Sequence, residues 1–462
     1  MAWAHYMEMR LGKTPTALNE FSLLRKYQGV SKVVILSPNS YKRDWYNEIP
    51  KFGVAIPRLA YDTSDRKGNE KFLAENRDEY IIIVNYEGLI YEHTQKFLKN
   101  ALGKHSMLII DESIKIKNPQ ALSTSAAVDA SLRADWIRLL SGLPMTQGPH
   151  DLFSQMRVMR AVPGSNFYSF RNTFCKMGGF KNKKVKGTLN EKALQNLMRN
   201  NSFVAKRKEW TKTTEPEYYV VSIELSEEQR KHYNEMNQDF VTELESGKTV
   251  SASQAVTQMM KLQQISSGFM YDENGEAVDI MPPEKTSKMR QLVSLLEDEI
   301  EGKLVVPFHY SKSGEALLKS LSAYNPAVIW SQERMKEMGT TAVEQKHKFN
   351  NGVDGCRVML LQISAGKYGH DLSGIAGDRT TYMAFYENTW SLDDRIQIEA
   401  RITVGDNQDW PTVYLDFVSS GVELKPIKAL QAKEKVVEAI FGAFKDNKSY
   451  DYDKYNFKTA KK

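Results

Sequence analysis

The sequence predicts an α/β protein in which parallel sheets are covered by helices on both faces, arranged as two lobes. Three observations carry this. Short apolar runs such as Val33–Leu36, Ile81–Val84 and Met107–Ile110 are apolar at every position, as strands buried on both faces are. They alternate with segments of helical period, the pattern of βα units. The same alternation fades near residue 151 and resumes after about residue 285, which calls for a second α/β lobe. A length of 462 residues fits roughly two to four domains.

In chain order, a helical pattern runs through Leu18, Phe21, Leu23 and Leu24, and the apolar run Val33–Leu36 then ends at the turn Ser37-Pro38-Asn39-Ser40. A helix is expected over Tyr41–Phe52, and strands over Ile81–Val84, Met107–Ile110 and Ile137–Leu140. Together these make a first lobe over 1–150. No strand is expected in 151–215, which reads as a helical, basic insertion. The stretch 216–285 opens with a strand at Val220–Leu225 and a long helix signalled by the capping-box pattern Ser226-Glu227-Glu228-Gln229, and ends turn-rich. The second lobe, 286–444, takes its strands from Leu304–Val306, Ala327–Ile329, Val358–Leu361, Tyr382–Phe385 and Val413–Leu415, and closes with a helix from Pro426 to Phe444. The tail 445–462 interleaves Tyr450, Tyr452, Tyr455 and Phe457 with charged residues. It reads as a loosely docked terminus or as a surface on which bases stack.

Composition bounds the function. Apolar residues make up 41% and charged residues 26%, as in soluble globular proteins. No apolar run nears the ~20 residues of a membrane span, and the N-terminal residues do not open a signal peptide, so a cytoplasmic protein is expected. The two cysteines, Cys175 and Cys356, have neither disulfide nor zinc spacing and are expected to be small buried residues. A net charge of +6 permits nucleic-acid binding without requiring it.

The chemistry concentrates in a few segments. Glu8-Met9-Arg10-Leu11-Gly12-Lys13-Thr14 reads as the end of a helix, a short turn and a Gly-Lys-Thr step into another helix, which is the layout of a phosphate-binding loop. Lys13 is placed to reach phosphate oxygens and Thr14 to hold Mg2+. The full motif has glycine where this chain has Met7. Asp111-Glu112 ends an apolar strand, supplying one carboxylate for the metal and a second to orient and deprotonate water; the bland alternative is a helix cap. Together the two segments point to nucleoside triphosphate binding. His309 and His370 lack metal spacing, and Trp45, at helical spacing from Ile49 and Phe52, reads as core.

These segments, with Ser37-Pro38, Trp45 and Glu48, Asn85-Tyr86-Glu87, Asp111 to Asn118 and Leu140-Ser141-Gly142-Leu143-Pro144-Met145, resemble in order the first-lobe motifs of SWI/SNF-type helicase-like ATPases. Leu360–Leu372 is similar to the family's motif V, and Trp390–Gln408 to its motif VI. The resemblance spans nearly the whole chain. It implies two RecA-like lobes, ATP and Mg2+ as cofactors, and double-stranded or branched DNA as partner. It further implies a monomer of the compact kind found in phages and prokaryotes, and hence a bacterial or phage-infected host cytoplasm. On this resemblance Arg10, Leu11, Gly12, Lys13, Thr14, Asp111 and Gly369 contact the nucleotide, Thr14 and Asp111 hold Mg2+, and Glu112 activates water. Gln397 and Arg401 face the nucleotide from the second lobe, and Ser141 and Gly142 couple hydrolysis to lobe motion. DNA contacts are expected at Ser37, Asn39, Lys42, Lys181, Lys183, Lys184, Ser364 and Gly366, with Arg43 and Lys206-Arg207-Lys208 as further basic candidates.

The sequence departs from the family pattern in three places. Arg10 replaces a usual glycine. The chain begins a few residues before Glu8, so the upstream glutamine motif that reads adenine is not expected within it; the chain is truncated or adenine is read by another contact. Val404 stands where motif VI has its second arginine, which elsewhere stabilises transition-state charge. Three functions follow as alternatives: a duplex translocase, a strand-separating or branch-migrating helicase of phage replication or recombination, and a weakly hydrolysing ATP-dependent DNA-binding scaffold.

Overall fold

The computed structural model describes residues 1–178, 184–245, 252–272, 275–366, 371–404 and 408–442. They fall into two compact units, one of Met1–Lys212 with residues 432–442 and one of Thr213–Gln431. Among the described residues no helix is long and apolar enough to cross a membrane.

The first unit is built on a seven-stranded parallel sheet. Its strands are β1 (Ala2–Met7), β2 (Lys32–Ser37), β3 (Arg58–Ala60), β4 (Tyr80–Asn85), β5 (Ser106–Asp111), β6 (Trp136–Ser141) and, after a two-stranded antiparallel hairpin of β7 (Cys175–Gly178) and β8 (Lys184–Thr188), β9 (Ser202–Ala205). The spatial order is β3-β4-β2-β5-β6-β1-β9, and all six pairings within it are parallel. Val33, Ile35, Ile81, Ile83, Met107 and Ile109 pack on one face with Leu18 and Phe21 of α1 (Lys13–Gln28) and with Trp45 and Ile49. Their alternates Val34, Leu36, Ile82, Val84, Leu108 and Ile110 are equally buried, as a sheet covered on both faces requires.

Two expectations are corrected here. The residues before Glu8 form β1 rather than a helix end, because they pair with β6 on one side and β9 on the other. The 151–215 region, expected to hold no strand, contributes β7, β8 and β9, the last as an edge of the main sheet. The helix expected over Tyr41–Phe52 is α2 (Asn39–Glu48) followed by a 3-10 turn at Ile49–Phe52, and Pro50, which lacks an N–H, sits at that change.

The second unit carries β10 (Glu217–Ser222), the antiparallel pair β11 (Phe269–Tyr271) and β12 (Ala277–Asp279), then β13 (Lys303–Phe308), β14 (Ala327–Ile329), β15 (Val358–Gln362), β16 (Gly374–Ile375), β17 (Asp378–Phe385) and β18 (Val413–Val418). The main sheet runs β10-β18-β17-β13-β15-β14, all parallel, with β16 antiparallel to β17. All five strands expected in the second lobe are present. The strand expected at Val220–Leu225 lies earlier, paired with Val413–Val418, and part of the turn-rich segment is β12. Along β13 and β15 the side chains alternate between two cores: Leu304, Val306, Val358 and Leu360 in one, Val305, Met359 and Leu361 in the other. Ser226 Oγ accepts from the Gln229 N–H at 3.2 Å, capping the helix Glu227–Glu245. Each unit thus has the parallel, doubly covered sheet of a RecA-like lobe. Both cysteines are buried and unbridged.

Candidate nucleotide site

Because β5, β6 and β1 are adjacent and parallel, the segments that follow them leave the same edge of the sheet, where open α/β sheets bind ligands. Register places Asp111 beside Leu140 and Ser141 beside Tyr6. The phosphate-loop candidate, the acidic pair and Ser141-Gly142 are therefore neighbours.

The loop after β1 turns on two left-handed residues, Arg10 (φ 69°) and Gly12 (φ 79°). Gly12 caps α1 without a side-chain hydrogen bond, and no acidic residue occupies the helix's first turn. A helix start of this kind suits an anion. Arg10 adopts the left-handed conformation that a glycine takes freely. Leu11 and Thr14 are half-buried on either side of Gly12 and Lys13. Lys13 Nζ donates to the Met7 carbonyl at 3.0 Å. A Cβ on Gly142 would sit 3.5 Å from that same Nζ, so Gly142 lies directly against Lys13.

Asp111, 9% exposed, closes β5. Its Oδ2 accepts from Trp45 Nε1 at 2.8 Å, its Oδ1 from the Glu112 N–H at 3.0 Å, and its carbonyl from the Tyr86 hydroxyl. Burial pushes its carboxyl above the ordinary range, while the Trp45 N–H, the nearby Lys13 charge and the Glu112 amide pull it back. Glu112, 7% exposed, is itself left-handed at φ 49°. A non-glycine residue in that region costs of order 1–3 kcal/mol, a strain that concentrates at functional sites. The residues fit a magnesium nucleotide: a cation near Asp111, an open helix start and a carboxylate whose donors leave its charge in place. Among the described residues no cluster of three or more His, Cys, Asp or Glu could hold a metal, so a divalent ion held by Asp111 would need phosphate and water for its remaining ligands.

Buried side chains that sequence reasoning did not single out hold this edge together. Gln155 is fully buried; its Oε1 accepts from Ser113 at 2.8 Å and Tyr6 at 3.3 Å, and its Nε2 donates to the Pro144 carbonyl at 2.7 Å. One amide thus ties β1, the segment after Asp111-Glu112 and the segment after Ser141-Gly142. The Ser141 hydroxyl accepts from the Leu143 N–H at 3.2 Å. Trp45 is core, as expected, but its N–H also reaches the site. No helical spacing signals that.

The remaining candidates fall variously. Ser37 is fully buried, its hydroxyl donating to the Pro38 carbonyl at 3.2 Å, while Asn39 is exposed at the start of α2. Lys42 Nζ donates to the Tyr61 carbonyl at 2.8 Å. Lys181, Lys183 and Gly369 lie outside the described residues, and Lys184 begins β8. In the second unit, Ser364 is exposed whereas Gly366 is buried, with Leu361 where a Cβ would go (2.4 Å). Gln397 (2% exposed) donates from Nε2 to Asp393 at 2.9 Å. Arg401 (7% exposed) donates from Nε to the Gln397 carbonyl at 2.8 Å, and its own carbonyl accepts from the Leu372 N–H, linking the motif V and VI segments. Val404 is half-buried.

The sequence pattern of the SNF2-related domain matches residues 6–268, more than half of the chain. A Caenorhabditis elegans SWI/SNF-related matrix-associated actin-dependent regulator of chromatin subfamily A-like protein 1 homolog is 30% identical over 193 residues, 41% of this chain and 26% of that protein. An uncharacterized ATP-dependent helicase of Mycoplasma genitalium, MG018, is 24% identical over 79% of this chain and 34% of its own length. The human DNA repair and recombination protein RAD54-like is 25% identical over 94% of this chain and 62% of its own. The chain thus spans about a quarter to three fifths of these relatives. The Sulfolobus solfataricus SWI2/SNF2 ATPase core in complex with dsDNA aligns with 96% of this chain and 89% of that one at 18% identity, with a TM-score of 0.40.

Proposed function

Because the chain belongs to the SNF2-related family of helicase-like ATPases, we propose that it is an ATP-driven translocase on duplex DNA that moves without separating the strands. The observation that carries the reading is the meeting of Lys13, the Asp111-Glu112 pair and Ser141-Gly142 at one edge of the first sheet. The start of α1 and Lys13 bind the phosphates of ATP, with Arg10, Leu11 and Gly12 shaping the loop. Thr14 and Asp111 hold Mg2+, which when bound neutralises phosphate charge. Glu112 orients the attacking water and takes its proton. Gly142, packed against Lys13, and Ser141 report the state of the phosphate site to the rest of the protein. Gln397, Arg401 and Gly369 are the further nucleotide-contacting residues of this reading.

The repair, recombination and chromatin roles in the relatives' names support DNA as the partner. With the Ser37 side chain buried, contacts at that strand end fall to Asn39 and Lys42, joined by Ser364, Gly366 and the basic residues Lys181, Lys183 and Lys184; they are sequence-independent and weaken with salt. The protein acts as a monomer in a bacterial or phage-infected cytoplasm.

Triplex and fork substrates test the reading. The translocase displaces a third strand or a bound protein with ATP and leaves the duplex paired; ATP-dependent release of single strands from a fork selects the unwinding or branch-migrating helicase instead. Val404 favours one further reading, a scaffold that barely hydrolyses. A near-inert wild type whose turnover rises strongly in Val404→Arg selects that one.

A further inference from the structure

The Trp45 indole lies in the core of the first unit, 3% exposed, among Ile35, Ile49, Ile83 and Ile109. Its one polar atom points at Asp111 Oδ2, 2.8 Å away. The other carboxylate oxygen accepts from the Glu112 amide at 3.0 Å, and the Tyr86 hydroxyl donates to the carbonyl of Asp111 itself. A carboxylate gripped at one oxygen turns about its Cβ–Cγ bond; gripped at both, its plane is fixed. Both donors are neutral, so they orient the group without cancelling its charge. An indole N–H is a donor only and cannot reverse its role.

We infer that Trp45 is a positioning residue for Asp111, fixing the carboxylate in the orientation in which it receives a divalent cation. The inference rests on the reading of Asp111 as a metal-holding residue given above. Groups that orient a metal ligand commonly change metal affinity 10- to 100-fold when removed. A tryptophan that only filled the core would affect stability and leave metal affinity alone.

The test is a double-mutant cycle in the full chain with Trp45→Phe, which keeps an aromatic ring and removes the N–H, and Asp111→Asn. Binding of Mn2+ in the presence of saturating ADP is followed by electron paramagnetic resonance, and binding of ADP without metal by calorimetry. Trp45→Phe is expected to weaken Mn2+ binding about tenfold or more and to leave metal-free ADP binding unchanged. In the Asp111→Asn background the same substitution is expected to change Mn2+ binding less than about twofold. Unchanged Mn2+ affinity in Trp45→Phe, or an equal loss in both backgrounds, overturns the positioning role. Wild-type Mn2+ affinity in Asp111→Asn overturns the metal assignment beneath it, and the inference with it. If Trp45→Phe does not fold, indole spectra of 15N-tryptophan-labelled protein decide. One exchange-protected indole N–H should shift both on adding Mg2+ with ADP and on Asp111→Asn, and no such resonance overturns the inference.

Discussion

Each unit buries an aspartate in a parallel strand, and the company the two keep differs. In the second unit Asp416 and Glu399 share one partner, Arg395, which also donates to Asn388 and lies 3.6 Å over the Phe385 ring. Burial opposes the charge on Arg395, but Asp416 and Glu399 outweigh it and hold the guanidinium above its ordinary value. The charges close on one another and fasten helix Leu392–Glu399 to β18. In the first unit the side chain of Asp111 takes hydrogen bonds from an indole and an amide, which bring no charge. Asp416 is tied to a helix through Arg395, whereas the hydrogen-bond donors on Asp111 are uncharged and the Lys13 charge lies nearby.

The sharpest way to break this comparison is at Glu112. Glu112→Gln keeps the shape and removes the proposed base, and is expected to lower ATP turnover about 10³-fold, within the usual range for a general base, with ATP binding retained in a filter or fluorescence assay. Next is Arg395→Met, which leaves Asp416 and Glu399 without their cation. It is expected to destabilise the protein by about 3–5 kcal/mol in urea unfolding, and adding Asp416→Asn should recover part of that loss. Equal effects of Arg395→Met and Asp111→Asn on stability would erase the distinction drawn above.

Another acid sharpens it through pH. Glu20 is half-buried, and although burial alone would raise its carboxyl, hydrogen bonds from His5 and Arg138 bring it down to about 2. A lowered carboxyl stabilises the fold above its unfolded value and loses that contribution as pH falls toward the folded one. Stability is therefore expected to fall between roughly pH 4.5 and 2, and Glu20→Gln should flatten that limb in acid unfolding. The smallest effect is expected at Gly142, where a Cβ meets Lys13 Nζ at an ordinary contact distance of 3.5 Å. Gly142→Ala should fold normally and slow turnover only a few-fold, on the order of 1 kcal/mol in the barrier.

What could be read from the sequence follows the same physics. Strands buried on both faces are apolar at every position, so β2, β4, β5 and β13 announce themselves. β1 does not, because Ala-Trp-Ala-His-Tyr-Met mixes half-buried and buried positions, with His5 among the latter, and its identity comes from its pairing with the distant β6 and β9. β9 is four residues long with Phe203 exposed, too short and mixed to carry a period. Lys13, Asp111 and Glu112 were legible because charged residues next to apolar strands need a reason. Gln155 and the N–H of Trp45 were not, since a buried amide or indole is recognised only by the atoms it faces. Arg395 was overlooked because Gln397 and Arg401 fit a known pattern beside it.

The Asp111-Glu112 edge is proposed to hydrolyse ATP in response to duplex DNA. Steady-state turnover of wild type and Glu112→Gln, measured without nucleic acid and with single strands, duplex, forks and RNA, tests it directly. Wild-type turnover is expected to be stimulated most by duplex, and the Glu112→Gln protein to be flat across all five conditions. Wild-type turnover indifferent to duplex, or a Glu112→Gln protein that still responds to it, contradicts the account.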